Sequence, residues 1–477
     1  MPRPIAFALR IFSRFILWTA LAVFCICLIV LGINARDEQP SVEAQTLLRL
    51  PQNRYKAEEN IYVALAGLDA PVGQSVVAVG QARIALYNEQ LDQILQESSI
   101  GLPLPLPKNP SALKFKGKVD FAAPRDPVFW MAVGSNASKV DELLADNREL
   151  YERYLALLRL QGYFETERPS IAADVFAPPT QLRNLFLAKF ALDVQSGDER
   201  RRDFALSSLR QDVDMWRRVL TGEGNLISKM LAVAYLQNDY LVMSDMIADP
   251  TAAIPCDMDA FLAEPDLSEW SIGRVLGSEF RFQSSLYRHT AALLADDENQ
   301  LDGLESPLER WVNRMLRRPI GKMLFKLNAT ERIDAGLMDD LAGFASLDPA
   351  TFTAQRVRYR KWEKDRSKFM RLQTLYNPIG KTLVAIGAPA YENYLLRPYD
   401  AAALQRLVRL SLEIRRQQVA ASAIPGFMEL HPEWSAHPAS GQTFVWDPEA
   451  KEIAIRVIAK QPADRRFAVQ VWQKPIG

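Results

Sequence analysis

Residues Phe15 to Ile33 form one uncharged, apolar run of 19 residues, the only such run in the chain. Wound as a helix rising about 1.5 Å per residue, it reaches roughly 29 Å, close to the hydrocarbon thickness of a bilayer. Arg3, Arg10 and Arg14 precede it, while Arg36, Asp37 and Glu38 follow with no excess of positive charge. This bias predicts a cytoplasmic stub over 1–14, a transmembrane helix over 15–33, and a body on the far side of the membrane. In a bacterium that is a single-pass inner-membrane protein with a periplasmic body.

A cleaved signal peptide is the competing reading. The run exceeds a typical signal core, and Ala35 as the last residue before cleavage would leave bulky Ile33 two places earlier. Cys25 and Cys27 follow Phe24 and Ile26, where a lipid-modified cysteine needs a small neighbour, so they read as apolar filler. A retained anchor is the expectation.

About 440 residues remain, more than one core usually organises, so more than one subdomain is expected. Lysine plus arginine equals aspartate plus glutamate at 57 each. A balanced chain has no global field for nucleic acid, and no nucleic-acid partner is expected. Outside the apolar run Cys256 is the only cysteine. An internal disulfide is therefore not available to the body, and a buried structural thiol is the simplest reading of Cys256.

The fold expected is mainly α: the anchor, an irregular helical array, and a small antiparallel β-meander near the carboxyl end. Segment 34–110 reads as a polar tether and N-terminal helices. One helix covers Val42–Leu50, Asn60 caps another over Ile61–Leu68, and Ile84, Tyr87, Leu91, Ile94 and Leu95 form an amphipathic face. Four prolines within 101–110 mark an extended connector. Segment 111–250 reads as a strand followed by the array. Leu113, Phe115, Val119 and Phe121 alternate with Lys114, Lys116, Lys118 and Asp120. Ser138 and Asp141 have capping-box spacing, and Gly162 is a plausible helix stop. Helices over 182–194, 200–220 and 226–247 are joined by short polar turns, which makes them antiparallel neighbours without a tetratricopeptide consensus.

Segment 251–435 reads as a loop and a second helical region, with helices near 271–295 and 304–317. Pro319-Ile320-Gly321-Lys322 recurs as Pro378-Ile379-Gly380-Lys381, each proline suiting a first helical turn. Segment 436–477 reads as the meander. Phe444 and Trp446 open it, Ile453, Ile455 and Val457 alternate in its second strand, and Phe467, Val469 and Val471 supply the third.

Catalytic signatures fail on inspection. Gly380-Lys381-Thr382 lacks the glycine five residues earlier that a phosphate loop needs, since Leu375 stands there. Ser111 and Lys114 have Ser-x-x-Lys spacing on a strand pattern, whereas that chemistry needs a helix. His289, His431 and His437 fall in no metal spacing, and His431 and His437 read as surface turn residues. No cofactor and no metal is expected.

The strongest charge feature is 356–371, with eight basic residues against Glu363 and Asp365. On a helical wheel Arg356, Arg360, Lys364, Lys368 and Arg371 share a side, roughly opposite Trp362, Phe369, Leu372 and Tyr376. This stripe is the candidate contact for an anion or for lipid headgroups, its alternative being a solvated helix face.

The plan resembles a family of uncharacterised, single-span envelope proteins of Gram-negative bacteria. The similar points are Asn60-Ile61-Tyr62 leading to Gly67-Leu68-Asp69-Ala70-Pro71, the Tyr376-Asn377-Pro378-Ile379-Gly380-Lys381 step, and His437-Pro438-Ala439-Ser440-Gly441 before an aromatic strand. That resemblance implies no activity and assigns no site residue. The expected function is a membrane-tethered periplasmic scaffold or binding protein with envelope proteins as partners. The alternative is an envelope hydrolase whose carboxylates meet only in the fold.

Overall fold

The structure, a computed structural model, describes residues 3–96, 109–169, 176–255, 258–264, 270–295, 318–345, 347–372, 375–387, 391–459 and 466–472. Its architecture is mainly helical with one small antiparallel sheet near the carboxyl end. Cys256, the proline-rich connector over 101–108 and the helix expected near 304–317 lie outside the described residues.

Helix α1 covers Arg3–Ile33. Phe15, Ile16, Leu17, Trp18, Leu21, Phe24, Leu28, Ile29 and Ile33 are all exposed on it. Among the described residues no helix is long and apolar enough to cross a membrane.

Three short helices come next, α2 (Val42–Leu48), α3 (Ile61–Ala66) and the longer α4 (Val76–Gln96). Asn60 caps α3 as its sequence implies, accepting from the Tyr62 amide at 3.1 Å. Gly80 lets α4 cross α3 closely; a Cβ there would sit 2.0 Å from the Val63 carbonyl oxygen.

The segment Leu113 to Phe121 is not a strand. Its alternation is correct, with Val119 buried and Lys114, Lys116 and Lys118 exposed. Side chains, however, take the place of a ladder. Asn147 accepts from the Lys116 amide at 2.7 Å and donates to its carbonyl at 2.9 Å. Gln181 accepts from the Val119 amide at 2.7 Å. Gly117, at φ +76°, also interrupts extended geometry.

Helices α5 (Phe129–Ser135), α6 (Ala137–Asp146) and α7 (Arg148–Leu157) precede the array proper. Ser138 lies inside α6 and makes no cap; Asn136 is the boundary residue. Gly162 is not a helix stop. Its carbonyl accepts from the Ile61 amide at 2.9 Å, and a Cβ on it would meet the Tyr55 ring at 2.1 Å.

The array is α8 (Thr180–Gln195), α9 (Glu199–Thr221) and α10 (Leu226–Ala248), joined by the expected short turns. Asp198 and Asn225 cap α9 and α10. A short helix, α11 (Met258–Phe261), follows, then α12 (Leu276–Ala295), α13 (Arg318–Leu324), α14 (Leu327–Ala345), α15 (Pro349–Ala354) and α16 (Arg356–Leu372). The chain continues through α17 (Pro378–Gly387), α18 (Tyr391–Arg416) and α19 (Ile424–Leu430).

The body has two apolar cores, and they do not follow the order of segments in the chain. One is built on the array, α3, the carboxyl-terminal part of α18 and the meander. The other gathers α12, α14, part of α17 and the amino-terminal part of α18. Helix α18 thus belongs to both. Its members change from one core to the other between Leu396 and Tyr399, across Pro398, which removes a hydrogen bond from the helix interior.

The meander is β1 (Val445–Asp447), β2 (Glu452–Arg456) and β3 (Arg466–Gln470), paired antiparallel in that order. Ile453 faces Val469 and Ile455 faces Phe467 in register. These four side chains are buried, and helices α10 and α18 cover the sheet.

Candidate functional site

The basic helix α16 is fastened to the body through two residues of the expected stripe. Arg356 and Arg360 both pair with Glu392 of α18, Arg360 at 3.2 Å. Arg356 also donates to the Ile458 carbonyl at 3.0 Å. These two arginines fasten α16 to the body, and Glu392 is itself buried. Tyr359 is buried, and Trp362 donates to Asp340 at 3.2 Å.

The solvent side of α16 carries Val357, Arg358, Arg360, Lys361, Lys364 and Asp365. Of the five stripe residues Arg360 and Lys364 lie on that side, and the side chains of Lys368 and Arg371 lie outside the described residues. Sequence periodicity located the basic helix. It could not find Glu392, which decides the roll, because that residue is distant in the chain.

Just after α16 the chain meets the end of α1 in a buried polar joint. Asn34 is fully buried. Its side-chain amide donates to the carbonyls of Val30, at 2.8 Å, and of Leu375. Its oxygen accepts from the Asn377 amide at 2.7 Å. Asn377, held at φ +50°, accepts from the amides of Lys326 at 2.9 Å and Gly380 at 3.2 Å, and donates to Thr330 Oγ1 at 2.9 Å.

Asp37 accepts from the amides of Asn328 and Ala329 at the start of α14, at 3.0 and 3.2 Å. Glu38 pairs with Arg332. The stretch that reads as the beginning of a polar tether is therefore docked along α14. The same joint accounts for the Asn377 to Lys381 motif: a Cβ on Gly380 would lie 1.9 Å from Thr330 Oγ1. Of the two Pro-Ile-Gly-Lys copies, this one is part of the receptor for the end of α1.

A cleft of about 160 Å³ opens between residues 164–169, the 223–224 turn, Ser278 and Arg281 of α12, and Leu50-Pro51. Asn60 clamps one wall, donating to the Phe164 carbonyl at 2.8 Å and accepting from its amide at 3.1 Å. Three carboxylates line the cleft, Glu165, Glu167 and Glu223. Glu165 accepts from three donors: Tyr163 Oη at 2.8 Å, Ser228 Oγ at 2.6 Å and the Asn225 amide at 3.0 Å. Glu167 accepts from Tyr62 Oη at 2.6 Å.

Beneath the cleft Lys229 is buried, donating to the carbonyls of Val219, at 2.6 Å, and Gly222. Burial pushes its ammonium down to about 7, against the pull of Glu165 and Glu223. Glu279 accepts from the Leu226 amide at 2.8 Å, and burial raises its carboxyl. This arrangement locks the α9–α10 turn. A general base needs a carboxylate able to accept a substrate proton, and Glu165 is already occupied on both oxygens.

His437 is not a surface turn residue; it is buried beside Asp400 of α18. Its Nδ1 accepts from the amides of Ala439 at 3.1 Å and Ser440 at 3.3 Å. That leaves Nε2–H to donate to Asp400 at 3.2 Å. Asp400 also accepts from the Ile458 and Ala459 amides, at 2.8 and 3.1 Å. The pair holds the meander to α18. His431 is half-buried, stacked on Trp434 with ring centroids 4.8 Å apart. Among the described residues no group of His, Cys, Asp and Glu is placed to hold a metal ion.

Comparison with protein-family models, with curated proteins and with solved structures finds no match to this chain.

Proposed function

We propose that this protein is a membrane-tethered scaffold or binding protein of the cell envelope, with α1 as its anchor, the body on the periplasmic side and envelope proteins as its partners. The observation that carries the reading is the junction of an apolar helix with a buried polar joint. Phe15, Leu17, Trp18 and Phe24 of α1 are each at least 60% exposed. Exposed apolar side chains in such a row need a cover, and lipid is the cover this reading supplies for α1. At its carboxyl end α1 meets buried amides instead, which marks where the body begins.

A tether confines the body to a thin layer, which raises its effective concentration for neighbours there. The competing reading is an envelope hydrolase centred on the 160 Å³ cleft. Its weakness is chemical, since Glu165 and Glu167 are engaged by tyrosine and serine hydroxyls.

Alkaline carbonate extraction of membranes tests the anchor; the full chain should stay in the pellet, and release into the supernatant would overturn it. A periplasm-active reporter fused after Gly477 should be on, while a cytoplasmic reporter at the same place stays silent. In-cell crosslinking followed by mass spectrometry should recover envelope proteins. Turnover of a cell-wall or ester substrate that is lost in Glu165→Gln would favour the hydrolase.

A further inference from the structure

We propose that α16 lies against the headgroups of anionic phospholipid where α1 leaves the bilayer, and that Arg358, Lys361 and Lys364 make the contact. The inference rests on the anchor reading and adds to it a face of the body and a lipid class.

The first argument is position. Helix α16 ends at Leu372, and the Leu375 carbonyl accepts from Asn34 at the end of α1. Three residues of chain span at most about 11 Å. The carboxyl end of α16 is thus held within that reach of the point where the apolar helix ends. Asn34, Asn377, Asp37 and Glu38 join the two through buried or ion-paired contacts, so the body does not swing freely on a linker.

The second argument is roll. Arg356 and Arg360 are drawn to Glu392 on the body side. Val357, Arg358, Lys361 and Lys364 are exposed at spacings that share one helix face, with Arg360 and Asp365 exposed beside them. Val357 is 80% exposed. An exposed aliphatic side chain among exposed basic ones is the pattern of a helix lying in a lipid interface.

The third argument is charge. The outward face of α16 is basic in a chain whose charges sum to zero. Phosphate headgroups present a fixed layer of negative charge, and each basic residue near it strengthens contact by about fivefold, within a Debye length of the surface. An acidic protein would offer the same sign of charge. The lipid is the occupant the geometry favours, because the helix that carries the face ends beside the exit of the anchor.

The test uses the full chain in nanodiscs of phosphatidylcholine alone and of phosphatidylcholine with phosphatidylglycerol, read by hydrogen–deuterium exchange across 356–372. Exchange over 357–365 should slow by about fivefold in the anionic discs. High salt should reverse the slowing. Arg358→Glu/Lys361→Glu/Lys364→Glu should lose the lipid dependence while exchange in α9 and α10 stays unchanged. Equal exchange of the wild type in both lipids would overturn the proposal, as would slowing that appears only when an acidic protein is added. Chain that leaves the discs in carbonate would sink the anchor reading and this proposal together; chain retained with equal exchange would sink this proposal alone.

Discussion

Arg183 shows how one residue organises the array. It is fully buried between Asp212 and Asp239 and pairs with both. Its guanidinium also lies 5.0 Å from the Tyr235 ring centroid and 5.8 Å from that of Trp216. Burial pushes both carboxyls up against the pull of Arg183, Asp239 well above its ordinary range. Removing the cation leaves two buried carboxylates facing each other. Arg183→Met should therefore cost about 3–5 kcal/mol in chemical denaturation. Asp239→Asn should cost far less, because it mimics the protonated acid. The native state keeps the Asp239 proton where an unfolded chain releases it, so this group's stabilisation is present in acid and is lost as pH rises. The Asn variant should flatten that dependence.

Lys229 acts in the opposite sense. The native chain releases its proton at about 7, while the unfolded chain holds it into the ordinary lysine range. Between those pH values the unfolded state binds more protons, so this group adds stability as pH rises from about 7 towards 10. Lys229→Met should remove that gain in pH-dependent melting. It should also cost about 1–3 kcal/mol, because the Val219 and Gly222 carbonyls lose a buried donor.

At the scale of elements, the decisive contacts are those between segments remote in sequence. The joint of α1 with the 375–380 turn uses both asparagine side chains as donors and acceptors, and few exchanges would preserve it. Asn34→Leu leaves the buried Asn377 amide without its acceptor and should cost about 1–3 kcal/mol. Protection from hydrogen exchange should drop at 375–380 and at the start of α14, with the array unaffected. Unchanged protection would mean that α1 and the body are not coupled there. For Asn377 the left-handed backbone adds a second constraint, so Asn377→Ala should be worse than Asn377→Gly despite the equal loss of hydrogen bonds.

Most elements were legible in the sequence because their signals are local. The array helices, the Asn60 cap and the meander follow from apolar spacing, a capping residue and turns within a few positions of each strand. The failures share a cause. Leu113 to Phe121 has strand alternation, but alternation reports only which side is buried, and Asn147 and Gln181 supply the backbone partners a strand would have provided. The wheel of α16 likewise set Arg360 and Lys364 on the exposed side and Trp362 on the packed side, but it could not show that Arg356 and Arg360 pair with Glu392, which sits on another helix. Nothing in the sequence marks Glu165, Ser228 and Tyr163 as a cluster, since the turns between α7, α9 and α10 bring them together.

On the scale of the whole molecule, α18 ties the two cores into one body. Its amino-terminal part packs with α12 and α14, and its carboxyl-terminal part with α10 and the meander. Asp400, just past Pro398, draws in His437 and the 458–459 backbone at the crossing. A helix shared in this way couples the cores, so the body should unfold in one transition. Tryptophan fluorescence and far-ultraviolet circular dichroism should give coincident midpoints. Two separated transitions would show that the cores fold independently. The dichroism spectrum itself should be dominated by helix; a strand-dominated spectrum would contradict the architecture.

By itself the sequence determined where apolar surface lies along the chain: the run from Phe15 to Ile33, the periodic faces of the array, and the three short strands. These are properties of neighbours a few residues apart, and spacing encodes them directly. Tertiary structure alone decided which faces meet. It paired Arg356 and Arg360 with Glu392, buried His437 on Asp400, closed Glu165 within a ring of donors, and seated Asn34 against Asn377. A buried polar group must find its partners wherever the packed chain brings them, and those partners lie tens to hundreds of residues away, beyond the reach of any local pattern.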